Sequence, residues 1–340
     1  MTDNKKPLVV DLDGTLIKTD LLLESFMLLI KANPLNLVFV FLWLLKGKAN
    51  LKAEIARRVD ILVEVLPYNE AVVDYLKQQK KAGRTIVLAT ASHQRYAHGI
   101  ADYLKLFDDV LSSSDTLNLS GMAKRKALID RFGEGQYAYA GNADVDLKVW
   151  SHAGSAVVVG NDRLARKAGA LCDIEASFAV ASPSLRTIVK ALRVHQWVKN
   201  ALIFVPLITS HQLQSLDVLL MSVLGFFAFS LCASSVYFLN DLLDLSDDRQ
   251  HATKRNRPFA AGILSLLFGI VGTPLLLLVA IVACLFLPTD FQIVLAVYYV
   301  LTLAYSFKLK RLVMVDVVTL ASLYTVRIVA GAAAIGVFLS

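Results

Sequence analysis

Hydrophobic residues are distributed unevenly along this chain of 340 residues. Residues 1–190 alternate apolar and charged stretches, as a water-soluble domain does. From Ala201 onward, long uncharged runs dominate. Val218–Leu239 and Ile263–Leu287 carry no charge, and each is long enough to cross about 30 Å of hydrocarbon as a helix. The pattern predicts a soluble domain over residues 1–182, followed by a membrane-embedded helical domain over 183–340.

Five transmembrane spans are predicted in the second half, of which the two runs above are the clearest. Phe291–Phe307 is uncharged and slightly short, whereas Leu312–Ser340 is long and includes Arg327. Ala201–Leu216 is the weakest of the five, because Pro206 lies in its middle and proline interrupts helical hydrogen bonding.

Four apolar runs in the first half are each followed directly by polar residues. The runs are Leu8–Val10, Thr85–Leu88, Tyr137–Ala140 and Ala156–Val159. Helical patterns separate them, for example Asn69–Ala82 and Ala123–Phe132. Strands that alternate with helices predict an α/β fold with a doubly wound parallel sheet. Such sheets bind ligands at the carboxyl ends of their strands, where these polar residues lie.

Composition and charge agree with a membrane protein. With 56% hydrophobic and 19% charged residues, the chain is neither an ordinary cytosolic enzyme nor disordered. The formal charge of +7 is concentrated between apolar runs, as at Arg249–Arg257 and Lys308–Arg311. This pattern favours the positive-inside rule over nucleic-acid binding, so we expect no nucleic-acid partner. It predicts a plasma- or inner-membrane protein with its N-terminal domain in the cytoplasm.

An acidic segment follows the run Val218–Leu239, and its polar residues are Asn240, Asp241, Asp244 and Asp248. On a helix, carboxylates at this spacing lie on one face, where they repel each other and are costly near a membrane. Mg²⁺ relieves both costs, because it binds a few carboxylates together with substrate phosphate oxygens. Lys254, Arg255 and Arg257 follow and could hold those phosphates. The alternative is a solvated loop whose charges only set the topology.

This acidic segment resembles the first Asp-rich motif of the UbiA prenyltransferase superfamily. Those proteins are intramembrane bundles, typically of nine helices, that use Mg²⁺ to bind a diphosphate substrate. Three further stretches resemble the branch that contains decaprenyl-phosphate phosphoribosyltransferase, and they are Arg193–Asn200, His251–Pro258 with Gly262, and Tyr305–Lys310.

The resemblance implies transfer of phosphoribose from phosphoribosyl diphosphate to a polyprenyl phosphate. It assigns the Mg²⁺ to Asn240, Asp241, Asp244 and Asp248, and the phosphates to Lys199, Lys254 and Arg257. The basic residues argue against the rival reaction, prenylation of an aromatic acceptor. Because the family needs about nine helices, we expect the sequence to be a fragment of a longer protein. The alternative is a half-bundle that is not a working transferase by itself.

The segment Asp11-Leu-Asp13-Gly14-Thr15 resembles the first motif of the haloacid dehalogenase-like (HAD) superfamily, which consists mostly of Mg²⁺-dependent phosphatases. The other three motifs follow in order over residues 7–180. By this resemblance, Asp11 is the nucleophile and Asp13 the general acid and base.

Two further HAD residues are assigned by the same resemblance. Thr90 would bind the phosphate, with Ser92 a less favoured choice. Lys124 would neutralise the phosphorylated intermediate, with Lys126 as an open alternative.

The metal motif of the HAD domain contains a departure. By resemblance Mg²⁺ is held by Asp11, Asp13, Asn142 and Asp146, but Asn142 occupies a position that is normally acidic. An amide oxygen can coordinate Mg²⁺, although the site loses one negative charge. Asp144 could compensate or could be a solvated turn residue. The alternative is a degenerate HAD domain that serves as a docking scaffold without turnover.

A helical insert at about 20–67 lies where HAD proteins often place a cap over the site. Its apolar run Leu35–Leu45 is too short to span a bilayer. It is either the buried core of the cap or a contact with the membrane surface, flanked by Lys31, Lys46 and Lys48.

The two halves together predict a bifunctional membrane enzyme with Mg²⁺ at both sites. The second half would bind a polyprenyl phosphate and a phosphorylated sugar, and the first would remove a phosphate from an intermediate. The oligomeric state stays open.

Overall fold

The computed structural model describes residues 6–309 and 312–337, and its contacts divide the chain into two units. Unit 1 comprises Met1–Pro183 together with Leu245–Asn256 and Ala260–Leu266. Unit 2 comprises the remaining segments, which are Ser184–Asp244, Arg257–Phe259 and Leu267–Ser340. Two short segments from the second half of the chain therefore belong to unit 1.

Unit 1 is built on a six-stranded parallel sheet with the strand order β3-β2-β1-β4-β5-β6. This order is doubly wound, so the predicted fold class is confirmed. In the centre of the sheet, Val10 of β1 pairs with Leu88 on one side and Ala140 on the other. The strands are β1 Leu8–Val10, β2 Ile86–His93, β3 Asp109–Ser113, β4 Ala138–Gly141, β5 Ser155–Gly160 and β6 Asp173–Ala179.

Helices cover the sheet and bury its apolar strands. The helices of unit 1 are α1 Leu21–Ala32, α2 Asn36–Leu45, α3 Lys48–Ala56, α4 Glu70–Lys81, α5 Gln94–Leu104, α6 Met122–Phe132, α7 Leu147–Trp150, α8 Asp162–Gly169 and α12 Leu245–Gln250. Short 3₁₀ turns lie at Val63–Val65, Asp144–Asp146 and Lys254–Asn256. Tyr139 and Trp150 are fully buried, so the core continues from β4 into the helix that follows it.

The insert between β1 and α4 contains α1, α2 and α3. Leu29 of α1 packs with Leu51 and Ile55 of α3 in a small hydrophobic cluster. Asp20 caps the N-terminus of α1, because its side chain accepts a hydrogen bond from the Leu23 amide over 3.0 Å. The insert therefore has a helical core of its own.

Unit 2 contains the helices long and apolar enough to cross a membrane. Its helices are α9 Leu185–Ala191, a 3₁₀ helix Val194–Phe204, α10 Val205–Thr209, α11 Leu216–Leu243, α13 Leu266–Cys284, α14 Thr289–Phe307 and α15 Val313–Ile335. In the described part of the chain, four meet the length and hydropathy of a membrane span, namely α11, α13, α14 and α15. The chain is an integral membrane protein.

The fifth predicted span, Ala201–Leu216, is wrong. That segment forms the end of the 3₁₀ helix and the five-residue helix α10. Pro206 has no amide hydrogen to donate, and it lies at the start of α10 rather than inside a longer helix.

Phe229 and Cys232 of α11 pack with Phe291 and Tyr298 of α14 in the core of unit 2. α11 and α14 approach closely at Gly225, where a Cβ would lie 3.1 Å from the ring of Phe291. Many apolar side chains of these helices point outward, as expected for a surface in contact with lipid.

Candidate functional sites

The nucleophile candidate Asp11 lies directly after β1, beside a buried lysine. Lys124 of α6 donates a hydrogen bond from Nζ to Asp11 Oδ1 over 2.6 Å. The same Nζ donates to the hydroxyl of Tyr139 over 3.1 Å. Lys126 is exposed on the same helix. Of the two lysines considered from the sequence, Lys124 is the one that contacts Asp11.

Asp13 is held by two donors at the same edge of the sheet. Its Oδ2 accepts from the Ser92 hydroxyl over 2.6 Å, and its Oδ1 accepts from the Leu21 amide over 2.8 Å. Burial raises the pKa of Asp13 to about 7, and repulsion from Asp20 and Asp11 contributes. The carboxyl is therefore poised to exchange a proton near neutral pH.

The end of β2 brings Thr90 and Ser92 into this site in different ways. The hydroxyl of Thr90, which is fully buried, accepts a hydrogen bond from the Ser92 amide over 2.9 Å. It is the Ser92 hydroxyl that contacts Asp13.

Lys52 of the insert reaches the same edge of the sheet, although no motif in the sequence assigned it a role. Its Nζ donates to the Ala91 carbonyl over 2.6 Å and to Asn118 Oδ1 over 2.8 Å. Burial lowers the pKa of this lysine. Its separation from β2 along the chain explains why no local pattern pointed to it.

Asn142 follows β4, the strand next to β1 in the sheet. Its Oδ1 accepts a hydrogen bond from the Thr15 hydroxyl over 3.1 Å. Gly14 has a positive φ of 78°, and a Cβ at this position would lie 2.1 Å from Asn142 Nδ2. Only glycine therefore allows the two loops to meet this closely. A cavity of about 490 Å³ opens beside them.

The last two acidic residues of the metal motif have different surroundings. Asp146 accepts hydrogen bonds from the Tyr139 hydroxyl (2.9 Å) and from the amides of Asn142 (2.9 Å) and Ala143 (3.0 Å). Burial and the charge of Asp11 raise the pKa of Asp146 to about 6. Asp144 is exposed and pairs with Lys167 over 2.7 Å, which lowers the pKa of Asp144. Asp146 thus fixes the loop that presents Asn142.

The donor set of this site fits a hard cation. Carboxylate and amide oxygens of Asp11, Asp13 and Asn142 gather at the ends of β1 and β4, and Mg²⁺ prefers such oxygens. Burial and mutual repulsion raise the pKa of Asp13 and of Asp146, so a cation would relieve an excess of negative charge. Within residues 6–309 and 312–337, no three His, Cys, Asp or Glu side chains already form a metal cluster.

Unit 2 has a cavity of about 260 Å³ that is lined by cations and aromatic rings. Three basic residues line it, and they are Arg193, Lys199 and Arg327. Tyr237, Tyr298 and Tyr324 are among its aromatic walls. A cavity with apolar walls and clustered cations suits an anionic ligand with an apolar body.

Asp241 lies in the last turn of α11 and is 2% exposed. Its Oδ1 accepts hydrogen bonds from the guanidinium groups of Arg193 and Arg257, the latter over 3.2 Å. The guanidinium of Arg193 also lies 4.9 Å from the centroid of the Tyr237 ring. The structure thus pairs Asp241 with two arginines, of which the sequence assigned only Arg257.

Asn240 precedes Asp241 and lines the cavity. Within the part of the chain that the structure describes, its buried Oδ1 has no hydrogen-bond partner. An unsatisfied buried carbonyl oxygen is costly, so a cation or a donor group on a ligand would stabilise it. Asn240 and Asp241 therefore fit an Mg²⁺ site, since both offer oxygen ligands beside the cations of the cavity.

The remaining residues of the acidic motif are separated by a break in the helix. Asp244 is the C-terminal cap of α11, and Asp248 is buried on α12 in unit 1. The three carboxylates therefore do not share one uninterrupted helix. Lys254 is exposed in unit 1, and Lys310 and Arg311 lie outside the described residues.

Arg327 was noted in the sequence as a charge inside a span, but it received no role. It is 5% exposed, and its Nε donates to Asn200 Oδ1 over 2.8 Å. Its guanidinium lies within 6 Å of three aromatic rings, those of Phe229, Tyr298 and Tyr324. A charged residue inside a membrane helix is itself a signal of function, and this signal could have identified it.

Comparison with known proteins identifies both halves of the chain. Residues 201–340 match the family model of the UbiA prenyltransferase family. Residues 8–147 match that of the haloacid dehalogenase-like hydrolases. Both predicted resemblances are therefore confirmed.

Two curated relatives extend the match. The chain is 39% identical to the uncharacterized protein y4nM of Sinorhizobium fredii over 97% of this chain and 64% of the relative. It is 34% identical to decaprenyl-phosphate phosphoribosyltransferase of Mycobacterium tuberculosis over 45% of this chain and 52% of the relative. The chain thus spans between about half and two thirds of the length of these relatives.

Among solved structures, a phosphoserine phosphatase in its apo form aligns with 55% of this chain and 98% of its own. The sequence identity is 15% and the TM-score is 0.37. Residues 8–147 are a haloacid dehalogenase-like domain and residues 201–340 belong to the UbiA prenyltransferase family, joined in one integral membrane protein.

Proposed function

We propose that the HAD-like domain is a phosphatase that acts on a phosphorylated intermediate. The observation that carries this proposal is the contact of Asp11 with Lys124, beside an Asp13 that is held by Ser92. A carboxylate nucleophile, a neutralising lysine and a second carboxyl for proton transfer are the groups that phosphoryl transfer through an aspartyl phosphate requires.

In this proposal, Asp11 attacks the phosphorus of the substrate and the bond to the leaving oxygen breaks. Asp13 donates its proton to that oxygen and then accepts a proton from the water that cleaves the acyl phosphate. Lys124 compensates the negative charge around Asp11. Asp11, Asp13, Asn142 and Asp146 would hold Mg²⁺, which would neutralise phosphate oxygens. Asp146 keeps Asn142 in place through the loop amides.

The test is Mg²⁺-dependent release of phosphate from phosphosugars by the full chain in detergent. We expect Asp11→Asn to lower turnover by at least about 1,000-fold, because the nucleophile is lost. The control Asp102→Asn changes an exposed aspartate on α5 and should leave turnover unchanged. Equal release by the wild type and Asp11→Asn would overturn the proposal, and a folded wild type without release would support the scaffold alternative.

For the membrane domain, we propose transfer of phosphoribose from phosphoribosyl diphosphate to a polyprenyl phosphate. What supports it is the cavity that places Asn240 beside Arg193, Lys199 and Arg327. A polyprenyl phosphate joins an anionic headgroup to an apolar chain, and cations beside apolar and aromatic walls suit such a ligand. The similarity to decaprenyl-phosphate phosphoribosyltransferase supports the same choice.

In the transferase, Asn240, Asp241, Asp244 and Asp248 would hold Mg²⁺, which stabilises the diphosphate leaving group when bound. Lys199, Lys254 and Arg257 would neutralise phosphate oxygens. Arg193 holds Asp241 and so positions a ligand carboxylate. The lipid phosphate oxygen would form the new bond to the anomeric carbon as the bond to diphosphate breaks.

Membranes that contain the chain would be incubated with radiolabelled phosphoribosyl diphosphate and a polyprenyl phosphate. We expect labelled lipid that depends on both substrates and on Mg²⁺. A prenylated aromatic product instead would support the rival reaction. We place the N-terminal domain on the cytoplasmic side, where protease digestion of sealed inverted vesicles should remove it and digestion of right-side-out vesicles should not.

A further inference from the structure

The helix α2 of the insert presents an unusual surface. After Asn36 its sequence is entirely apolar, LVFVFLWLL, and none of its residues is buried. The exposed fractions are 63% for Val38, 64% for Phe41, 52% for Leu42 and 84% for Leu45. The helix is therefore not the core of the cap, which was one of the two interpretations that the sequence left open.

The exposed side chains form one continuous face. Val38, Phe41, Leu42 and Leu45 follow the spacing i, i+3, i+4 and i+7, so they lie on the same side of the helix. Val40 and Trp43 lie on the other side, where they pack against the small cluster of the insert. One side of α2 thus packs against the rest of the insert, and the opposite side has no covering in the described part of the chain.

The length and the flanking charges of α2 indicate what covers this face. Ten residues rise about 15 Å as a helix, which is half of the hydrocarbon thickness, so α2 cannot span a bilayer. Lys46 and Lys48 follow the helix directly and are exposed. Lysines beside an apolar face match the negative headgroups of anionic lipids. The chain is already an integral membrane protein, so a bilayer is always near.

We propose that α2 is an interfacial membrane anchor of the HAD-like domain, with the face Val38, Phe41, Leu42 and Leu45 inserted at the boundary of headgroups and acyl chains. Lys46 and Lys48 lie at the headgroup level. The occupant of the face is thus a lipid surface that contains anionic lipids. This proposal does not depend on turnover by either domain.

The test uses two matched label sites in the full chain. Leu42 and Leu117 are both leucines and both 52% exposed, but Leu117 lies outside the insert. Leu42→Cys and Leu117→Cys would each carry a fluorescent label in a Cys172→Ser background. The Cys172→Ser parent, which has neither introduced cysteine, is labelled in the same way. Its fluorescence corrects for any label on Cys232 and Cys284, which are buried.

The labelled chains are placed in nanodiscs of phosphatidylcholine and phosphatidylglycerol, with or without bromine on the acyl chains. We expect brominated lipid to reduce the fluorescence of the label at residue 42 by about half. Iodide in the buffer should leave that fluorescence nearly unchanged. The fluorescence of the label at residue 117 should be quenched by iodide and should be nearly unchanged by brominated lipid. A second change, Phe41→Glu, should reduce the lipid quenching of the Leu42 label, because it places a charge on the inserted face.

Two results would overturn the proposal. Quenching of the Leu42 label by iodide to the same degree as the Leu117 label would show that the face is in water. Protection of the Leu42 label from both quenchers would show that protein covers the face, either a second copy or another chain. Circular dichroism of each labelled chain establishes that it is folded.

Discussion

Arg249 donates two hydrogen bonds to Glu24, from Nη1 to Oε2 over 2.9 Å and from Nη2 to Oε1 over 2.5 Å. Their side chains are 6% and 5% exposed. Glu24 belongs to α1 of the insert and Arg249 to α12, and both lie in unit 1. The Arg249 Nε also donates to the Ala260 carbonyl over 2.8 Å, so the guanidinium is held from two directions.

In the buried pair of Glu24 and Arg249, removal of one charge should affect stability differently from removal of both. Glu24→Gln would leave the charge of Arg249 buried without its carboxylate, at a cost of about 3–5 kcal/mol. The double change Glu24→Leu with Arg249→Met should cost less than the two single changes combined, because neither charge remains. Hydrogen exchange of the amides in α1 and α12 measures the effect locally.

As a control, Asp74→Asn breaks an exposed pair with Lys77 and should cost at most about 1 kcal/mol. Additive effects of the Glu24 and Arg249 changes would contradict the expected coupling.

Asn142→Asp should strengthen Mg²⁺ binding by the HAD-like domain. The change adds one negative charge at a candidate ligand, and an aspartate can still accept the hydrogen bond from Thr15. We expect the Mg²⁺ concentration for half-maximal phosphate release to fall by about tenfold. Asn161→Asp is the matched control, because Asn161 lines the same cavity and caps α8, a role that aspartate also fills. An equal shift in both variants would attribute the effect to charge alone and contradict a ligand role for residue 142.

Asp241→Asn should abolish most of the transferase activity. The change removes the negative partner of Arg193 and Arg257 and a candidate ligand for Mg²⁺. We expect labelled lipid product to fall by at least about 100-fold in membranes that contain equal amounts of protein. Asp290→Asn is the control, since Asp290 is exposed in the first turn of α14. Wild-type product from the Asp241 variant would exclude this residue from the reaction.

Glu175 on β6 should make the HAD-like domain sensitive to acid. Burial alone would raise its pKa, but hydrogen bonds from Arg84, Tyr75 and Ser155 outweigh burial and lower the pKa to about 2. The ordinary pKa of a glutamate is 4.5, so the hydrogen bonds to the ionised Glu175 stabilise the folded state above about pH 4.5. This stability is lost as the pH falls towards 2.

Replacement by glutamine removes this dependence. Between about pH 5 and pH 3, the wild type should lose about 1–2 kcal/mol more stability than Glu175→Gln, after allowance for solvent screening. Denaturant unfolding at the two pH values measures the difference. Glu70→Gln, an exposed change on α4, should retain the wild-type dependence, and the same dependence in Glu175→Gln would refute the prediction.

The strands that the sequence predicted are those buried on both faces. β1 and β4 are continuous apolar runs at the centre of the sheet, and their burial produces that pattern. β3 and β6 escaped prediction because they form the two edges of the sheet and mix polar with apolar residues. Their place depends on the neighbouring strand rather than on their own pattern.

The candidate sites divide in the same way. Asp11 and Lys124 were assigned as candidates because their surrounding motifs have a recognisable local pattern. Lys52 and Arg193 were given no site role, because their contacts join residues that are distant in the chain, such as Arg193 and Asp241. Such contacts arise from tertiary packing, and a single sequence contains no local trace of them.

The length of the continuous helix α11 relates the position of two candidate Mg²⁺ ligands to the thickness of the membrane. Its 28 residues rise about 42 Å, more than the roughly 30 Å of hydrocarbon, and Asn240 and Asp241 lie in its final turn. A helix that is longer than the hydrocarbon layer tilts to fit it, and a thinner bilayer requires more tilt. Lipid composition therefore sets the tilt of α11, and with it the depth at which Asn240 and Asp241 lie in the membrane.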